Sequence, residues 1–355
     1  MSKLINQGSF GCIFRPGFNC KGKVTKQTKN SITKLQVKDF NADNEILIGS
    51  IIKTIPNYSF FFVPVISHCS IGLASLNNKY IDKCDILSRD NPDYLLLEMP
   101  YIENISFKKL FSDSTRSNKH LFLIFIETFQ YLALAIKQLL DKDIVQFDLK
   151  EDNILYSVKY ENPLLIDYGI SIPFSELNSS NLKQYFYVYG PDYYIWPLEV
   201  HAINFLLHHE DKLTEEAIES MCQTFVKSNS GLNVFSDDFK KDYLDMCKAV
   251  LRPYINVKRD IVIKELLKYY KTWDQYSLSI LYLKFFNILF YEGFFKSKLV
   301  LTFSELLLIN ISPDPRKRLD IEETIKKYRD ILFINETVMN YQILLNNLDY
   351  DSIKN

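Results

Sequence analysis

Apolar and polar positions alternate from the start of the chain. Residues 4–14, Leu-Ile-Asn-Gln-Gly-Ser-Phe-Gly-Cys-Ile-Phe, read as a strand, a Gly-x-x-Gly turn and a second strand. Ser31-Ile32-Thr33-Lys34-Leu35-Gln36-Val37 keeps a period of two, the mark of a half-buried strand. The pattern then turns helical in Asn44-Glu45-Ile46-Leu47-Ile48. Residues 121–140 are strongly apolar, but Glu127, Gln130, Lys137 and Gln138 interrupt them, which predicts a core helix rather than a membrane span. Residues 277–310, broken by Lys284, Glu292, Gly293, Lys296 and Lys298, predict two packed helices. Between 144 and 169, short β-prone runs bracket clusters of polar residues, as expected of a loop held between strands. Residues 200–272 are helix-prone: Thr214-Glu215-Glu216-Ala217 has the look of a capping box, and apolar positions recur through Met221, Phe225, Val234 and Phe235.

Composition narrows the class. The 355 residues are 47% hydrophobic and 14% aromatic, ample for a sizeable core and against bulk disorder. Length predicts more than one domain. A net charge of −1 gives no electrostatic reason to expect nucleic acid or an acidic membrane as partner. Cys12, Cys20, Cys69, Cys84, Cys222 and Cys247 are scattered without metal-ligand spacing. With no signal-peptide pattern at the start, they are expected to be reduced thiols in a cytosolic protein. His201, His208 and His209 lack the spacing of a zinc site and are expected on a helix surface.

The chemistry concentrates in residues 144–169. Asp148, Lys150 and Asn153 share one tight loop in Gln146-Phe147-Asp148-Leu149-Lys150-Glu151-Asp152-Asn153, and Asp167 follows in Asp167-Tyr168-Gly169. Two carboxylates, an amide and a lysine suit a site that holds magnesium against phosphates and orients a hydroxyl. Mg²⁺ takes hard oxygen ligands, commonly one or two carboxylates plus the substrate's own phosphates. Each motif alone is ordinary turn chemistry. Together and in this order they resemble the catalytic core of the protein kinase superfamily, in its eukaryotic-like serine/threonine form.

That resemblance implies an α+β, bilobal fold: a small β-rich lobe over residues 1–99 that binds nucleotide, and a larger helical lobe over 100–355, with a helical insertion at about 200–272. It implies transfer of the γ-phosphate of ATP to serine or threonine hydroxyls of protein substrates, with Mg²⁺ as the metal and Mn²⁺ as the alternative. Asp148 would accept or orient the hydroxyl proton, Lys150 would steady the γ-phosphate, and Asn153 and Asp167 would hold the metal. Gly8, Ser9, Phe10 and Gly11 would form the phosphate turn, with Asn6 standing where the family has its first glycine. Ile13 would lie over the adenine and Leu155 beneath it, with Ile32 also lining the nucleotide site and Glu98 at the hinge. Lys34 would hold the α- and β-phosphates, with Lys26 as competitor, and Glu45 would pair with Lys34. Further along, Tyr194-Ile195-Trp196-Pro197-Leu198-Glu199 resembles the end of an activation segment. Asp274 would brace the catalytic loop, and Arg318 in Asp314-Pro315-Arg316-Lys317-Arg318 would pair with Glu199.

The departures from the family have consequences of their own. Gln146 and Phe147 replace His and Arg, so activity is expected not to require a phosphate on the activation segment. Pro100, in Glu98-Met99-Pro100-Tyr101, has no N–H to offer adenine. The insertion is expected to select substrates or bind a protein partner, with structural filler as the alternative. Gly-Ser-Phe-Gly-Cys-Ile-Phe-x-Pro, Gln-Phe-Asp-Leu-Lys and Tyr-Ile-Trp-Pro-Leu-Glu are similar to kinases of large nucleocytoplasmic DNA viruses, which implies host cytoplasm or the virion as location. Two other classes stay open: a catalytically weak or inactive kinase-like scaffold, and a small-molecule phosphotransferase.

Overall fold

The computed structural model describes residues 2–8, 11–76, 83–85, 87, 93–111, 118–290 and 298–333. Expectations for Ser9, Phe10, Glu292, Gly293 and Lys296 fall outside these residues. The architecture is mixed α+β. Five antiparallel strands, β1 (Lys3–Gln7), β2 (Cys12–Arg15), β3 (Ser31–Val37), β4 (Ser67–Ile71) and β5 (Tyr94–Pro100), form one sheet in the order β1-β2-β3-β5-β4. The period of two is visible in what β5 buries. Leu95, Leu97 and Met99 join Ala42, Val63 and Val65 on one side, while Tyr94 and Leu96 join Phe14, Leu35 and Ile71 on the other. Helix α1 (Phe40–Ile52) starts at Asp39, whose carboxylate accepts the Ala42 N–H at 2.8 Å.

Two smaller sheets carry the loop region. Strands β6 (Asn104–Ser106), β8 (Ile154–Ser157) and β9 (Pro163–Leu165) pair in the order β6-β8-β9, and β7 (Ile144–Val145) pairs with β10 (Ile172–Pro173). The chain after α1 docks onto β9: Val63 N–H donates to Leu165 O at 3.0 Å and Leu165 N–H to Phe61 O at 2.8 Å. These bonds fix the five-stranded sheet against the loops that follow.

Helices make up the rest: α2 (Phe107–Phe111), α3 (Asn118–Leu140), α4 (Leu182–Tyr185), α5 (Leu198–His208), α6 (Glu215–Ser228), α7 (Asp237–Leu251), α8 (Arg259–Leu267), α9 (Trp273–Phe290), α10 (Lys298–Asn310) and α11 (Ile321–Phe333). Helix α3 is long and apolar enough to span a membrane by composition alone. Instead it packs inside the protein, with Phe125 against Tyr282 at 4.7 Å and Phe129 against Tyr328 at 4.9 Å between ring centroids. Residues 277–310 do form two packed helices, α9 and α10.

Three expectations need correction. Cys12–Cys84 and Cys20–Cys69 are disulfides, leaving only Cys222 and Cys247 as free thiols, both buried. The partners lie 72 and 49 residues apart, and sheet formation brings their Cα atoms to 6.0 and 5.9 Å, within bridging range. Spacing along the chain could not show this. Second, His201 is fully buried, although His208 and His209 are exposed at the end of α5. Third, Thr214 does cap α6, accepting the Ala217 N–H at 3.1 Å, but no reciprocal bond forms, because the residue at that position is an alanine.

The helical segment 200–272 is part of the main core. Ile218, Met221, Cys222 and Phe225 are buried in the same cluster as α9, and Tyr243 OH donates to Ile311 O at 2.7 Å. A Cβ on Gly231 would sit 2.8 Å from Ile280 O, so the segment before α7 lies directly on α9. Excising residues 205–265 would therefore uncover the central helix. A partner role for this region is better probed by substitutions on its outer faces.

Candidate functional site

The polar groups of interest gather where the five-stranded sheet meets the loops of the smaller sheets. Lys34, on β3, donates from Nζ to Glu45 Oε2 at 2.8 Å and to Asp167 Oδ1 at 3.1 Å. Burial alone would lower the lysine's pKa, but the Glu45 and Asp167 carboxylates outweigh it, so the ammonium is held well above its ordinary range. Burial pushes Glu45 up, opposed by Lys34. Lys26 is exposed outside this cluster, in the run with Lys21, Lys23 and Lys29.

The turn over Lys34 explains one glycine. Gly8 N–H donates to Gly11 O at 3.0 Å, closing the turn. A Cβ on Gly11 would meet Lys34 Cγ at 2.9 Å and Leu35 O at 3.0 Å, whereas one on Gly8 meets nothing within 4 Å. Gly11→Ala is thus expected to overpack, costing about 1–3 kcal/mol. Gly8→Ala should stay within about 0.5 kcal/mol. Urea midpoints of the two variants check this. Asn6 does not act as a left-handed glycine substitute; it pairs with Ile13 in the strand, and its side chain accepts the Gln7 N–H at 2.9 Å. Ile13 and Ile32 are half-buried on β2 and β3, and Leu155 is half-buried on β8. Glu98 is engaged elsewhere: its carbonyl accepts the Ile66 N–H at 2.8 Å and its carboxylate the Ser67 hydroxyl at 2.6 Å.

The second cluster is the loop after β7. Asn153 Nδ2 donates to Asp148 O at 2.9 Å and to Asp148 Oδ2 at 2.8 Å, and Lys150 Nζ lies 3.0 Å from the same Oδ2. Asp148 Oδ1 accepts from the Tyr193 hydroxyl. Phe147 and Asp167 adopt left-handed backbones, with φ of 66° and 60°. Such conformations cost energy in non-glycine residues and persist only where the surroundings enforce them. Here Asp274 does so for the loop, accepting the Gln146 N–H at 2.6 Å and the Phe147 N–H at 2.9 Å. Gln146 Nε2 then donates to Ile166 O and Asp167 O, both at 3.0 Å, and so ties the two acidic segments together. Phe147 stacks on Trp196 at 4.8 Å, and Trp196 Nε1 donates to Phe147 O at 2.6 Å, so an apolar contact stands where the resemblance implies an arginine. Tyr168 is buried and donates to Leu165 O at 2.6 Å, which supplies the partner its hydroxyl needs.

Two groups escaped sequence reading. Asn44 Nδ2 donates to Gly169 O at 2.9 Å and Ser171 O at 2.8 Å, so α1 is pinned to the segment after Asp167. Its only signal was a polar residue on an apolar helix face, beside Glu45. Tyr193 had no signal at all, because its partner Asp148 lies 45 residues away.

Among the described residues, no three His, Cys, Asp or Glu side chains converge as a metal cage. Asp167, with its side chain 37% exposed, and Asn153 would suit an ion that arrives with substrate phosphates. The oxygen donors of Asp167 and Asn153 fit a hard divalent cation that takes its remaining ligands from other oxygens.

Two buried groups give opposed pH dependences. Burial pushes Asp274 up to about 6, against the two backbone N–H bonds, and drives His201 down to about 4 despite its contact with Trp196 O. Stability from a raised carboxyl is present below its unfolded pKa and is lost as pH rises through about 6. Stability from a lowered histidine is full above its unfolded value and is lost as pH falls through about 4. In the wild type the two partly cancel. His201→Gln is expected to remove the acid-side loss, on the order of 3 kcal/mol between pH 7 and 4. Urea midpoints at both pH values, compared with wild type, would show it; an unchanged acid response would reject it.

Compared with known proteins, the chain matches no family model and no curated protein. Function has to be read from the side chains themselves.

Proposed function

We propose that the chain is an ATP-dependent protein kinase of the bilobal kind, transferring the γ-phosphate to serine or threonine hydroxyls of proteins with Mg²⁺ or Mn²⁺. The observation that carries this reading is the meeting of Lys34, Glu45 and Asp167 beside a loop in which Asp148, Lys150 and Asn153 hold one another. Lys34, kept cationic, suits the α- and β-phosphates, while Asp167 and Asn153 suit the metal. Asp148, fixed through Oδ2, keeps Oδ1 for the acceptor's proton. The sheet, residues 1–99, would be the nucleotide lobe, and the helices the substrate lobe. A site in host cytoplasm or a virion follows only from the narrower viral resemblance.

One observation favours a nucleotide-binding scaffold of low activity. Pro100 has no N–H, and the Tyr101 N–H already donates to Asn30 O at 3.0 Å, so this edge offers adenine fewer donors. Phosphate transfer from γ-labelled ATP to a mixed panel of acidic and basic proteins, with Mg²⁺ or Mn²⁺, separates the two. Labelled protein supports the kinase. Nucleotide-dependent thermal stabilisation without transfer supports the scaffold.

A further inference from the structure

Tyr193 occupies the place at Asp148 that the proposed reaction reserves for an acceptor. It sits in a turn: its N–H donates to Gly190 O at 2.9 Å, and its carbonyl accepts the Trp196 N–H at 3.1 Å. Its ring packs edge-on against Trp196, with centroids 5.0 Å apart. The hydroxyl donates to Asp148 Oδ1 and accepts from Lys150 Nζ at 3.3 Å. Asp148 does not need this bond for its orientation, since Asn153 and Lys150 already hold Oδ2. Tyr193 covers the one oxygen left to take a proton. Its two partners are the base and the cation assigned to the γ-phosphate, the pair an acceptor hydroxyl must meet to react. Burial and the Asp148 charge both raise the phenol's pKa, so it stays protonated until a base acts.

We propose that Tyr193 is an intramolecular phosphate acceptor, which makes the seat at Asp148 able to take a tyrosine as well as serine or threonine. The inference rests on the kinase reading. In the step, a bond forms between the Tyr193 oxygen and the γ-phosphorus. The bond from that phosphorus to the β–γ bridging oxygen breaks, ADP leaves with the electron pair, and the phenolic proton passes to Asp148. The product carries about −1.5 to −2 charges and cannot remain beside the Asp148 carboxylate.

The test uses the full chain, stripped by a phosphatase that is then removed, and incubated with ATP and Mg²⁺. Peptide mapping by mass spectrometry is expected to place one phosphate on Tyr193. The fraction modified at a given time should stay constant over about a 100-fold range of protein concentration, because an intramolecular step has no concentration term. Asp148→Asn should abolish the mark, and Tyr193→Phe, checked for an unchanged thermal midpoint, should lack it. Panel proteins labelled while Tyr193 stays bare would overturn this inference and leave the kinase reading standing. A rate on Tyr193 that grows with concentration would also overturn it. No transfer to any acceptor, Tyr193 included, would sink the kinase reading itself.

Discussion

Replacing Asp167 by asparagine is expected to lower phosphate transfer from ATP by about 10⁴-fold or more, beyond the roughly 10²–10⁴-fold expected for Asp148→Asn. The two losses differ in kind. In the proposed reaction, Asp148→Asn would remove the proton acceptor but leave nucleotide and metal in place. Asp167→Asn removes a charge that would hold the ion against the phosphates, and electrostatic stabilisation of the transferring group is commonly the largest single contribution to such a rate. The asparagine variant should fold normally, because its side chain is 37% exposed in the wild type and Lys34 keeps Glu45 at 2.8 Å. Lys34→Met is a poorer control. It would strand Glu45, whose side chain is 2% exposed, as an unpaired buried acid and confuse lost chemistry with lost stability. The labelled-ATP assay on wild type, Asp148→Asn and Asp167→Asn, with thermal midpoints alongside, checks the ranking. Equal transfer by wild type and Asp167→Asn would remove the kinase reading.

What could be read in advance follows the range of the interaction. Asp148, Lys150 and Asn153 lie within six residues, so their turn was legible, and the structure closes it with the Asn153 bonds. Lys34 and Glu45 were legible because the period changes between them from strand to helix, which places one on β3 and the other on α1. Asp274 and the Arg318–Glu199 pair came from motif resemblance; no local pattern joins positions more than 100 residues apart. Approaches created only by folding were invisible. Both disulfides, the Asn44 bonds to Gly169 and Ser171, and Tyr193 on Asp148 are of this kind. Burial of His201 was missed for a related reason. A helix with one polar face was assumed, while α5 is enclosed on all sides through Leu207, among them Glu199 and Asn204.

Glu199 also sets the largest stability effect expected in the molecule. Arg318 Nη1 donates to Glu199 Oε1 at 2.6 Å and Nη2 to Oε2 at 3.0 Å, a bidentate pair with side chains 0% and 2% exposed. Arg318 Nε donates to Ser312 O at 2.8 Å, so the same guanidinium ties the start of α5 to the turn after α10. Arg318→Met is expected to cost about 3–5 kcal/mol, because it leaves a buried carboxylate with no counter-charge. Glu199→Leu should cost a similar amount by stranding the guanidinium. The double variant tests whether the two residues act through each other. Desolvating two charges offsets much of their attraction, so Arg318→Met with Glu199→Leu should lose clearly less than the sum of the single losses. Urea unfolding of the four proteins, with m-values constant across the set, measures this coupling. Additive losses would mean that Arg318 acts through Ser312 and its packing over Tyr276, at 5.0 Å, rather than through Glu199. Subadditive losses would place the ion pair itself at the joint between the segment that presents Tyr193 and the helices beneath it.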